Sequence, residues 1–240
     1  MLNIITAFKV EAAPLIEGLS LKPADFCSRQ YCHGWHVCRG RGTRRSGNRH
    51  FHHPWRSPRN SSIFSGCGVQ LGISGPGCTN AQALTDYFLQ RHSSENQNPE
   101  LTYWLNFGIA GSAAWEIGEL VRAHTVTDQA TGKNWTLGNG INLNLPGAHI
   151  CTVASPQAAC HGRHVYDMEA AGIISALSER DLLARAQFRI FCVKIISDGP
   201  SKPVESLTKQ DIQQMIHGRK KDILAIAQKI YSGIYSASLE

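Results

Sequence analysis

The sequence has no long apolar run: nothing in it approaches the roughly 20 consecutive apolar residues of a membrane-spanning helix. Its opening, MLNIITAFKVEAAPL, reaches Lys9 and Glu11 before a secretory leader could form. The expectation is a cytoplasmic protein with no membrane partner. No pair of cysteines is spaced C-x-x-C, which removes the dithiol redox motif and the usual zinc knuckle, so the eight cysteines read as reduced thiols. No internal repeat is present. Acidic residues and lysine are absent from residues 27 to 62, where eight arginines concentrate, so the formal net charge of +6 describes one segment and not the whole surface.

What remains is ordinary globular composition, 42% hydrophobic and 18% charged over 240 residues, enough for one substantial core; residues 1–240 are read as one domain. LNIITAF is a short β-rich run and VEAAPLIEGL changes to helical spacing. GVQLGISGPG followed by CTNAQALTDYFLQRH repeats the arrangement, with Thr79 or Asn80 placed to cap the helix. LTYWLNFGIAGS reads as a buried strand, ELVRAHTVTD as a half-exposed one, and HICTVA as another. The helix DMEAAGIISALSERDL, the strand FRIFCVKIISD and a final amphipathic helix around DILAIAQKIYSGIY complete the chain. This alternation predicts an α/β fold with a mixed, mainly parallel twisted sheet surrounded by helices, and a cleft outside the carboxyl ends of the strands.

Several polar residues fall where strands end: Glu11, Ser74, Asp167 with Glu169, and Ser197 with Asp198. Each alone reads as a cap or a solvated acid. Together, in an alternating sheet, they converge on one rim. Asp198 closes the apolar run FCVKIIS and is expected to be desolvated, which favours the neutral acid that a proton donor needs. Glu11 opens a helix, whose dipole favours the ionised form that a general base needs.

Five segments, ITAFKVEAAPLI, ISGPGCTNA, LNFGIAGS, DMEAAGI and KIISD, occur in an order that resembles the nucleoside phosphorylase and nucleosidase superfamily. Within it they are most similar to the methylthioadenosine/S-adenosylhomocysteine nucleosidases and their short relatives. The resemblance implies a nucleoside phosphorylase-like fold, a homodimer, a small nucleoside as ligand and no cofactor or metal. It further implies that Glu169 binds the ribose hydroxyls, Met168 packs on the sugar, and Asp198, with Ser197 orienting it, protonates N7 of the leaving purine. Glu11 would activate water, Ser74 and Gly75 would line the nucleophile side, and Ala110 with Gly111 would form the wall beside the base. Asp167 is read as a helix cap, and the small residues after Glu169 as letting the helix sit close to the sheet. The implied activity is hydrolysis of the N-glycosidic bond of a 5′-substituted adenosine. Phosphorolysis and a catalytically idle nucleoside-binding relative stay open as alternatives; Glu11, standing where phosphorylases of this superfamily grip phosphate, favours water.

Three features depart from that pattern. Residues 27 to 62 offer Cys27, Cys32, Cys38 and several histidines, but C-x₄-C-x₅-C lacks the knuckle spacing that structural zinc prefers. A nucleic-acid arm with Trp35, Phe51 and Trp55 among the arginines is also disfavoured, against a divergent insertion or a stretch read out of frame. QAACHGRHVY is short for a purine-pocket tract, and His161 and His164 read as exposed loop residues. Gly118 and Glu119 replace the family's Gly-Asp with the charge kept.

Overall fold

The computed structural model describes residues 1–24, 61–94, 102–138, 140–156, 162–180, 182 and 189–236. The Arg/His/Cys-rich segment therefore lies outside the described residues up to residue 60, as does His161; Ser62, at the segment's end, already begins a strand.

The chain runs β1 (Leu2–Thr6), α1 (Lys9–Gly18), β2 (Lys22–Pro23), β3 (Ser62–Gly66), β4 (Val69–Ile73), α2 (Cys78–Ser94), β5 (Tyr103–Ser112) and β6 (Leu120–Asp128). It continues through β7 (Asn134–Thr136), β8 (Gly147–Thr152), β9 (His164–Asp167), α3 (Ala170–Ser178) and β10 (Ile190–Asp198). A 3-10 turn (Val204–Ser206), α4 (Lys209–Gly218) and α5 (Lys220–Ser236) follow. One ten-stranded sheet contains them all, with β4, β1, β5 and β10 parallel at its centre and β3 and β2 antiparallel at one edge. Beyond β5 the sheet closes on itself, because β10 pairs with both β5 and β6, β6 with β8, β8 with β9, and β9 with β5.

Both faces of the central strands are covered, which is why their sequences read as continuous apolar runs. One face carries Ile5, Trp104, Cys192 and Ile196 under α2 and α3. The other carries Leu2, Ile4, Phe107, Phe191, Val193 and Ile195 under α1, α4 and α5. Nearly every position of β5 and β10 is buried. Lys194 is the exception in kind: a lysine with no exposed surface in an apolar strand.

Several local expectations change. β6 is buried over Leu120 to Ala123 and not half-exposed along its length, since β10 and β8 flank it. His164 is the first residue of β9, its ring stacked 4.7 Å from that of His149 across the β8–β9 pair, so the loop reading for it is corrected. Thr79 and Asn80 sit inside α2, and Asn80 Nδ2 donates to the Pro76 carbonyl at 2.7 Å instead of capping. Gly172 in α3 approaches α2 and not the sheet: a Cβ there would stand 2.1 Å from the Cys78 carbonyl oxygen. Among the described residues no helix is long and apolar enough to cross a membrane.

Candidate active site

The site forms where β5 changes partners. Its first half pairs with β1 as far as Asn106, and its last residues, Gly111 and Ser112, pair with β9. Between them, among the described residues, no strand pairs with β5 on that side, at the carboxyl end of the parallel strands where α/β sheets open a crevice. A cavity of about 290 Å³ occupies this point. Glu11, Ala110, Gly111, Met168, Glu169, Ser197 and Asp198 all line it.

Each acid has a local reason for its position. Glu11 stands in the first turn of α1, yet its side chain turns back and under β5: Oε2 accepts from the Ala7 and Phe8 amides, both at 2.9 Å, and Oε1 from the Ile109 amide at 3.0 Å. Gly108 makes this approach possible, since a Cβ there would lie 3.1 Å from Glu11 Oε1. Glu11 is 1% exposed. Burial pushes its pKa up to about 7 against the opposing pull of the amide hydrogen bonds and of Lys194, while the Glu169 charge adds to the rise. The expectation that the helix dipole would favour the ionised form of Glu11 is thereby corrected. The dipole acts at a helix end in solvent, and here desolvation is the larger effect.

Glu169 precedes α3, and its Oε1 accepts from the Gly77 amide at 2.9 Å. That amide belongs to the turn between β4 and α2, where Gly75 and Gly77 hold φ of +80° and +102°, a region open to glycine. Burial raises the Glu169 pKa, Lys194 opposes it, and Asp167 adds to it. Asp198 ends β10 at a β-bulge: Ile196 pairs with Ala110 and Asp198 with Gly111, leaving Ser197 as the extra residue. Bulges re-aim side chains beside functional sites. Burial raises the Asp198 pKa, the hydrogen bond from the Ser197 hydroxyl opposes this, and the Glu205 carboxylate adds to it.

Ser74 and Gly75 are not brought to the cavity wall. Ser74 Oγ donates to the Gly75 carbonyl at 2.7 Å, and the neighbouring Pro76 is the residue of that turn that lines the cavity.

Two partners were not legible as partners. Lys194 Nζ lies 2.7 Å from Asp167 Oδ2, both side chains being fully buried. Asp167 also accepts from the Ala170 amide at 2.9 Å, so the capping bond exists, and from Thr152 Oγ1 at 2.6 Å. Burial alone would pull the Lys194 ammonium down, but Asp167 and Glu169 outweigh it and hold its pKa above the ordinary value. One ammonium thus sits among Glu11, Asp167 and Glu169. The available signal was the lone lysine in IFCVKIISD, since a buried ammonium requires a buried anion.

Chemically, the cavity offers a desolvated carboxyl on one wall, a second that titrates near neutrality on another, and a third beside a paired ammonium. Among the described residues no group of three or more His, Cys, Asp or Glu side chains is arranged to hold a metal.

The chain shares its fold with solved 5′-methylthioadenosine and 5′-methylthioadenosine/S-adenosylhomocysteine nucleosidases. The 5′-methylthioadenosine nucleosidase of Arabidopsis thaliana in its apo form superposes with a TM-score of 0.67 at 13% identity, over 97% of this chain and 95% of that one. The 5′-methylthioadenosine/S-adenosylhomocysteine nucleosidase of Helicobacter pylori with butyl-thio-DADMe-Immucillin-A gives 0.65 at 12%, over 95% and 97%. The corresponding enzyme of Neisseria meningitidis with methylthio-immucillin-A gives 0.59 at 13%, over 98% of each chain. No protein-family model matches the sequence, and no curated protein does so either.

Proposed function

We propose that this protein is a purine nucleosidase that hydrolyses the N-glycosidic bond of a 5′-substituted adenosine. The observation that carries the reading is the meeting of Glu11, Glu169 and Asp198, far apart in sequence, around one cavity. The substrate class is drawn from the structural neighbours, named as methylthioadenosine nucleosidases and in two cases bound to immucillins. The same reading takes residues 1–240 as one domain and the working protein as a cytoplasmic homodimer.

In this reading the ribose hydroxyls donate to Glu169 and the sugar packs on Met168. Asp198, held by Ser197, gives its proton to N7 of the purine as the C1′–N9 bond breaks and its electron pair leaves with the base. The sugar becomes oxocarbenium-like. A water on the opposite face attacks C1′ and gives its proton to Glu11, whose pKa of about 7 suits a base at neutral pH. Lys194 keeps the buried carboxylates from repelling one another. Ala110 and Gly111 wall the base, and Ser74 with Gly75 shape the turn that presents the Gly77 amide to Glu169. No cofactor or metal is required.

Water is favoured over phosphate as nucleophile because an incoming phosphate would meet the acids Glu11 and Glu169 and one ammonium already paired with Asp167. The test is release of free base from a nucleoside panel, with and without phosphate. Adenine released from methylthioadenosine at the same rate in both conditions supports the reading. Release that requires phosphate, or none from any nucleoside, overturns it.

A further inference from the structure

The ten residues after Asp198 contribute part of the cavity wall, and what fixes them is separate from the catalytic acids. Val204, in the 3-10 turn, and Leu207, just after it, line the cavity. Gly199 and Lys202 hydrogen-bond each other's backbones at 3.0 and 3.1 Å, closing a tight turn next to Asp198. Lys202 then reaches across to α4: its Nζ lies 2.8 Å from Asp211 Oδ1. The other oxygen of Asp211 accepts from the Thr208 amide at 2.9 Å and from the Thr208 hydroxyl, while the Asp211 amide bonds Thr208 Oγ1 at 3.1 Å. One carboxylate therefore joins both ends of the segment 202–208. Ile212, the next residue of α4, faces the same cavity.

We propose that Lys202 and Asp211 are positioning residues, an ionic latch that holds the segment 199–208 in place as the apolar wall of the nucleoside cavity. Neither side chain lines the cavity, so the pair acts through Val204 and Leu207. The latch also keeps Glu205 near Asp198, where its charge favours the protonated acid. Both partners are about one-third exposed, so the latch is screened by salt and its effect is a few-fold and not orders of magnitude. Residues 201–208 are all exposed or half-buried, the kind of segment that opens locally, and the latch is the ion pair that ties it to α4.

The consequence for the nucleoside rests on the proposed function; the latch does not. The test uses the full chain with Lys202→Met and Lys202→Arg and two readouts. In the unliganded protein, amide exchange over residues 200–208 is expected to be about fivefold faster in the Met variant and near wild type in the Arg variant, with 1 M NaCl moving wild type toward Met. In isothermal titration with methylthioadenosine and an inactivated Asp198→Asn background, the Met variant is expected to bind about threefold to fivefold more weakly. Equal exchange in wild type and Lys202→Met, or exchange in wild type that ignores salt, overturns the latch. Faster exchange with unchanged affinity in a background that binds overturns its role at the cavity. A background that binds no nucleoside counts against the proposed function, while exchange still decides the latch.

Discussion

Replacing Glu11 by glutamine is expected to change how stability depends on pH. Burial lifts the Glu11 pKa from 4.5 to about 7 in the folded protein, so the folded state holds a proton that the unfolded chain has released across that window. The sign follows: the group's contribution is fully present below 4.5 and is lost as pH rises through 7. At about 1.4 kcal/mol per pH unit the span amounts to about 3 kcal/mol, of which about 2.5 kcal/mol falls between pH 5 and pH 8. Glutamine cannot titrate. It also brings an amide where three backbone N–H groups point, from Ala7, Phe8 and Ile109, and so leaves at least one of them without an acceptor at every pH. That loss is a constant of about 1–2 kcal/mol. Urea unfolding of both proteins at half-unit steps from pH 5 to pH 8 separates the two effects. The difference between variant and wild type is expected to move by about 2.5 kcal/mol in favour of the variant as pH rises. Curves that run parallel over the whole range would refute the claim that burial controls this carboxyl, and with it the assignment of a base poised at neutrality.

Under the proposed function, Asp198→Asn is expected to lower turnover by about 10² to 10⁴ while nucleoside binding survives, measured by base release and titration calorimetry; near-full activity would end the proposal that it is the acid. Lys194→Met leaves Asp167 buried without its cation and is expected to cost about 3–5 kcal/mol in chemical denaturation, far more than a surface ion pair; a loss below 1 kcal/mol would show that the pair is hydrated. Gly172→Ala drives a methyl into the backbone of α2 and is expected to cost about 1–3 kcal/mol or more, read as a lowered melting temperature, whereas Gly118→Ala meets no neighbour and is penalised through its φ of +90° alone.

The order of strands and helices was open to reading because covered parallel strands are apolar throughout and the helices between them are punctuated by glycine and polar caps. ISGPG and LNFGIAGS announced close turns, and DMEAAGII announced an acid at a helix entrance with small residues behind it. The resemblance of five such segments then named seven of the residues that line the cavity. β3, β9 and α4 escaped, being a short strand beside an irregular segment, a four-residue strand, and a helix with few buried apolar positions.

Local sequence determined that Asp198 would end a buried strand and that Glu11 would enter a helix, since apolar runs and their terminators are properties of neighbouring residues. It could not determine that burial would overrule the dipole at Glu11, because desolvation comes from β5 packing over it a hundred residues later. Nor could it pair Lys194 with Asp167, which share no periodicity and meet when β10 and β9 flank the same end of β5. Propensity is summed along the chain, whereas charge, burial and proton affinity are set across space, and the chemistry of this cavity belongs to the second kind.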